Sequence, residues 1–265
     1  MTYEAQQHNI QPDPAQNLHI AIRTLTINAG ETPHIVFCGG FHSCMNGTKA
    51  QFLASVCQRL GWSYTRFDYR GHGQSDGRFE HCDLTDWLTD TLAVIDQIPH
   101  RIHIVGSSMG AWLATLAAQQ RSEKIAGLIT IAAAPDFTEE LLWPALTLEQ
   151  QQQLQQGEAI SIATKYEQDP WRVRWPLFQS GRELSILSGE QELQLKCPVR
   201  MLHGTADVDV PWQQSQRLLD KLSPATSATL TLIHQGDHRL SDTRSLDLLE
   251  QSLTDIYRHH PGCPD

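Results

Sequence analysis

Ser108, Asp207 and His238 are residues of the three types, in one chain order, that can run acyl transfer. A serine hydroxyl becomes a nucleophile when an imidazole takes its proton. The imidazole serves as that base when a carboxylate holds its other nitrogen. Ser108 is the centre of Gly106-Ser107-Ser108-Met109-Gly110, which follows the apolar run Ile102-His103-Ile104-Val105 and opens the helical stretch Ala111–Gln120. A sharp strand-to-helix turn of this kind needs small residues two before and two after the serine. It lifts the hydroxyl above the sheet, at the positive end of a helix. Asp207 follows the apolar run Val199–Leu202, within His203-Gly204-Thr205-Ala206-Asp207, and His238 follows Thr229–Ile233, within Gly236-Asp237-His238-Arg239. All three are therefore expected just past strand ends, on one edge of a sheet. Asp209 competes as the acid and reads as a solvated loop carboxylate. Ser107 has no glycine frame of its own and reads as a turn hydrogen-bonder.

Such chemistry also needs donors for the oxyanion. The apolar run Ile35-Val36-Phe37-Cys38 ends in Gly39-Gly40-Phe41, a turn whose amides can face a ligand. The backbone N–H groups of Phe41 and Met109 are the expected pair. The remaining histidines have plainer readings. His203 belongs to a glycine turn, His234 to a strand, and His42 and His72 to loops. No histidine pair has ligand spacing with a third partner, so no metal is expected.

The elements that must position these residues alternate along the chain. Strands are expected at Leu18–Ile27, His34–Phe37, Ser63–Tyr69, Arg101–Gly106 and Ile125–Ala134, with helices at Gly47–Leu60, Leu84–Ile98 and Ser108–Gln120. The rhythm breaks at Pro135. A glutamine-rich, helical segment with Pro144, Pro170 and Pro176 runs to Lys196. Strands at Val199–His203 and Thr229–His234 and helices at Trp212–Leu222 and Leu240–Tyr257 then follow. Apolar runs that alternate with helices predict an α/β fold, a mostly parallel doubly wound sheet covered on both faces. The expected division is a core over 18–134 and 197–258, a helical cap over 135–196, and a polar N-terminal tail over 1–17. Leu141, Leu142, Trp143, Leu146, Trp171 and Trp175 are the cap's candidates for lining an acyl pocket. Arg172, Arg174 and Arg182 are its candidates for an anion patch.

Composition narrows the partners. With 265 residues and a formal net charge of −10, the chain can bury a full core and is expected to repel nucleic acid and anionic membranes. Cys38, Cys44, Cys57, Cys82, Cys197 and Cys263 form no CxxC pair, as expected of a reducing compartment. No apolar run reaches the roughly 18 residues of a membrane span. The N-terminal stretch carries no export or import pattern, so the cytoplasm is the expected location. Oligomeric state is not legible.

These residues resemble the α/β-hydrolase superfamily from Leu18 to Tyr257, with Phe67-Asp68-Tyr69-Arg70-Gly71-His72-Gly73-Gln74-Ser75 similar to the loop after its fourth strand. Met45-Asn46-Gly47-Thr48-Lys49-Ala50, Gly106–Leu113, Leu202-His203-Gly204, Val210-Pro211-Trp212 and Asp237-His238-Arg239 look closer to one subgroup. It comprises the mitochondrial palmitoyl-protein thioesterase of the abhydrolase-domain series, which also removes glucuronide from acyl glucuronides, and its bacterial relatives. The chain departs from it at His42 and Cys44. The resemblance implies a cofactor-free serine hydrolase cleaving thioesters or esters through an acyl-enzyme. A carboxylesterase for small or xenobiotic esters is the alternative on the same machinery. A non-catalytic ligand-binding receptor or scaffold is the alternative of another class.

Overall fold

The apolar runs of the sequence become strands whose every residue is buried: β3 (His34–Cys38), β5 (Ile102–Ser107) and β6 (Ile125–Ile131). A strand can be apolar on both faces only when helices cover both faces of its sheet. The computed structural model, which describes residues 5–27, 32–165 and 168–259, shows that arrangement. Successive side chains of one strand enter opposite cores. Val36, Ile104 and Leu128 pack with α2 (Leu84–Asp96) and α3 (Met109–Gln120), whereas Ile35, Val105 and Ile129 pack with α1 (Thr48–Leu60) and α8 (Thr243–His259).

The sheet has eight strands in the order β1-β2-β4-β3-β5-β6-β9-β10, with β1 (Gln6–Ile10), β2 (Ile20–Leu25), β4 (Ser63–Phe67), β9 (Val199–Gly204) and β10 (Ala228–Ile233) completing it. The pairs β1–β2 and β2–β4 are antiparallel and the others parallel. The parallel registers place Cys38 beside Gly106 and Ile233 beside Gly204. The loops after β3, β5, β9 and β10 therefore leave from one edge, the edge where open α/β sheets bind ligands. Helix α7 (Gln213–Lys221) connects β9 to β10.

Two expectations about organisation change. Within the segment expected as a polar tail, residues 6–10 form the edge strand β1, and Arg23 of β2 donates to Gln7 at 2.8 Å. An edge strand needs one partner and can stay polar and exposed, so composition did not reveal it. The segment between β6 and β9 is not wholly helical. A π-helical turn at Thr138–Leu142, α4 (Trp143–Ala145), α5 (Leu148–Gln155) and α6 (Trp175–Glu183) are joined by an antiparallel pair, β7 (Ile160–Ile162) with β8 (Trp171–Val173). Ile160-Ser161-Ile162 alternates with period two, a pattern that suits a strand too short to stand out against helical flanks. No helix among the described residues is long and apolar enough to cross a membrane.

Candidate active site

Ser108 sits between β5 and α3 with φ 57° and ψ −120°, a conformation that L-residues avoid and that only a surrounding structure can hold. The two framing glycines show what holds it. A Cβ on Gly106 would lie 2.3 Å from the Gly110 carbonyl oxygen, and one on Gly110 would lie 2.2 Å from that of Cys38. The turn, the first residues of α3 and the end of β3 are thus in backbone contact. Ser107, expected as a turn hydrogen-bonder, is the buried last residue of β5, in register with Ile131.

The fold brings Ser108, His238 and Asp207 together. His238 places Nε2 3.1 Å from Ser108 Oγ and Nδ1 2.7 Å from Asp207 Oδ2. Asp207 Oδ1 accepts the backbone N–H groups of Asp209 and Val210, each at 2.9 Å, and Oδ2 also meets His203 Nε2 at 3.1 Å. Burial of this carboxyl would raise its pKa. The hydrogen bonds from His203 and His238 outweigh burial and hold the group well below the usual carboxylate range. An ionised Asp207 can only accept, so Nδ1 of His238 carries the proton and the lone pair of Nε2 faces the serine hydroxyl.

Ser108 and His238 line a cleft of about 600 Å³, within the usual range for small-molecule sites. Phe41 and Met109 both line it. The Met109 N–H belongs to the first turn of α3, ahead of the helical hydrogen-bond ladder. Gly40 brings the other strand-end loop close: a Cβ there would lie 3.4 Å from Ser108 Cβ and 3.9 Å from Ser108 Oγ.

The loop after β4 supports the one after β3. Buried Asp68 accepts the N–H groups of Met45 and Gln74 at 2.6 and 2.9 Å. Asp68 and His72 stand in the stretch that resembles known hydrolases, but no spacing rule marks them as supports. His203, expected as a turn residue, also meets Asp207. Its contact with Asp207 depends on the curvature of the loop from 204 to 207.

The expected alternative acid is held elsewhere. Asp209 pairs with Lys165 Nζ at 2.7 Å and is only partly exposed. Asp207, Asp209 and His238 each offer a ligand atom, all within 4.8 Å of one another, and are the grouping among the described residues that could hold a metal ion. A cation there would have to displace the Asp207–His238 hydrogen bond.

Comparison with known proteins shows the family. The family model described as serine aminopeptidase, S33 (Hydrolase_4) matches residues 31–242. The palmitoyl-protein thioesterase ABHD10, mitochondrial, of Mus musculus is 35% identical over 230 residues, covering 86% of this chain and 76% of that protein. The chain belongs to the α/β-hydrolases of the S33 family. A structure of the mouse domain-containing protein 10 superposes with a TM-score of 0.83 at 31% identity, over 96% of this chain and 99% of that one. A crystal structure from Agrobacterium vitis S4 gives 0.88 at 32% identity, over 97% and 99% of the two chains.

In this hydrolase the cap candidates divide. Leu141, Leu142 and Trp171 line the cleft, joined by Phe137, which the sequence reading did not single out. Trp143 and Trp175 instead hold the Arg182 guanidinium 5.2 and 4.7 Å from their ring centroids, and Arg182 also pairs with Glu139 at 2.9 Å. Arg172 meets Glu80 at 3.0 Å and Arg174 donates to the Gly157 carbonyl at 3.4 Å. The three arginines therefore each have their own partner.

Proposed function

We propose that this hydrolase cleaves carboxylic thioesters or esters by two-step acyl transfer, with Ser108 as nucleophile, His238 as base and Asp207 as its acid. The observation that carries it is the unbroken run of hydrogen bonds Ser108–His238–Asp207, whose serine and histidine line a cleft with Phe137, Leu141, Leu142 and Trp171. His238 Nε2 takes the proton as Ser108 Oγ attacks the carbonyl carbon. The oxyanion is received by the N–H groups of Phe41 and Met109, each such donor contributing roughly 3 kcal/mol to the transition state. Collapse expels the thiolate or alkoxide, to which the imidazolium can return its proton. A water deprotonated by His238 then releases the acid.

The thioesterase named among the relatives supports the bond class. The segment 135–196 is proposed as the cap, with Phe137, Leu141, Leu142 and Trp171 as walls for the acyl group. Five described cysteines are free, in keeping with a reducing compartment; the mouse relative's printed name is mitochondrial, and for this chain the cytoplasm is the proposed site.

A fluorophosphonate probe tests the reading. Labelling is expected on Ser108, and Ser108→Ala should abolish labelling while lowering turnover of acyl thioesters and esters by about 10⁴-fold or more. Undiminished labelling or turnover in that variant would remove the proposal.

A further inference from the structure

Asp207 Oδ2 meets a second imidazole besides that of His238. His203, near the end of β9, places Nε2 3.1 Å from Asp207 Oδ2 and 3.0 Å from the Val210 carbonyl oxygen. Two acceptors face this nitrogen, so it carries a hydrogen in either charge state of the ring. On the ring's other side Nδ1 meets Ser215 Oγ of α7 at 2.7 Å. His203 and Ser215 are both fully buried, at 0% exposure.

We propose that His203 is a positioning residue for acyl transfer: its Nε2–H fixes the Asp207 oxygen that orients His238, and Ser215 fixes the ring in turn. The inference rests on the proposed roles of Ser108, His238 and Asp207. The backbone amides of residues 209 and 210 hold Oδ1, so the carboxylate is pinned at that atom alone unless something else holds Oδ2. Without His203, the only side chain on Oδ2 would be the base that the carboxylate has to orient. A second donor also spreads the carboxylate's charge, so less of it acts on His238. Loss of His203 should therefore make His238 a stronger base and move the acid limb of the rate profile upward. The substitution leaves the neighbouring charges unaltered: Asp209, which pairs with Lys165, Asp237, which precedes the base, and Lys49 and Arg239, which line the cleft.

The test compares His203→Leu, His203→Gln and Ser215→Ala with the wild type and with Ser108→Ala. Rates of the wild type and of the His203 and Ser215 variants are taken per fluorophosphonate-labelled site, so unfolded protein does not count, and that of Ser108→Ala is taken per mole of folded protein. His203→Leu is expected to lower kcat by about 10–100-fold with little change in KM, short of the ~10⁴ typical when a triad acid is replaced. Its acid limb should rise by about half a pH unit, and the low-field NMR proton of the Asp207–His238 bond should move. His203→Gln, which keeps an N–H near the Nε2 position, should recover most of kcat. Ser215→Ala, a milder change, should move kcat and the acid limb in the same directions and serves should His203→Leu not fold. Wild-type kcat, acid limb and low-field proton in the folded variants would overturn the inference. If Ser108→Ala is inactive in that case, only the role of His203 falls. If Ser108→Ala stays active, the acyl-transfer reading itself falls.

Discussion

The Nε2 atom of His72 accepts the backbone N–H of His42 at 3.1 Å, while its Nδ1 lies 3.2 Å from the Arg70 carbonyl oxygen. The ring thus holds the loop next to Phe41 at a residue whose φ is 57°. Burial, aided by the nearby His42, lowers the His72 pKa to about 4, although the Arg70 carbonyl opposes it. The unfolded chain, with a pKa near 6.5, binds the proton more readily, so this contribution is complete above about pH 6.5 and is lost as pH falls toward 4. His34, lowered to about 3 by burial and by His100, acts in the same sense. Urea unfolding is expected to show the wild type losing roughly 2 kcal/mol for each of these histidines between pH 7.5 and 5. His72→Gln should be weaker at pH 7.5 yet lose less over that interval. An equal loss in both proteins would show that another group carries the effect.

Asp207→Asn should lower kcat by about 10³–10⁴ because the amide leaves the imidazole in the wrong tautomer. Asp209→Asn should retain most activity, since its side chain serves Lys165 rather than the imidazole. Steady-state kinetics on one ester decide the matter, and the opposite ranking would move the acid two residues along the chain.

Two glycines should behave differently on addition of one methyl group. At Gly110 the new Cβ would meet the Cys38 and Gly39 carbonyl oxygens at 2.2 and 2.3 Å, and backbone atoms cannot swing aside. Gly110→Ala is expected to cost about 3 kcal/mol or more, or to prevent folding. At Gly40 the nearest atoms lie at 3.4 Å, so Gly40→Ala should fold with a nearly unchanged Tm. Its kcat should nevertheless fall several-fold, because the methyl takes up space in the cleft beside Ser108 Oγ that a substrate carbonyl needs. Thermal melts and kinetics on both variants distinguish a packing role from a catalytic one.

Acyl preference should follow the apolar wall of the cleft. Each buried methylene contributes roughly 0.8 kcal/mol, so kcat/KM should climb with chain length until the cleft is full. Trp171, whose ring lies 5.1 Å from that of Phe41, is the element of that wall supplied by β8. Trp171→Ala should flatten the dependence without abolishing turnover of acetyl esters. A flat profile already in the wild type would favour small esters as substrates.

Much of the fold was legible because its signals are local. The runs His34–Cys38, Ile102–Ser107 and Ile125–Ile131 are mostly apolar and buried throughout, and only a sheet covered on both faces makes such strands stable. Ser108 could be named because its glycine frame is a short-range demand of backbone sterics, and Asp207 and His238 because each follows an apolar run. Other features depend on what neighbours in space supply. The strand at Gln6–Ile10 exists because β2 offers an unpaired edge, not because its own residues favour it. Trp143 and Trp175 are separated from Trp171 by what packs beside them, an arginine in one case and the cleft in the other. His203 lies four residues from Asp207 in sequence, but whether it faces solvent, the turn or the carboxylate depends on how the loop curves over β9. Residue type sets which hydrogen bonds a side chain can make; burial by distant segments decides which of them it must make.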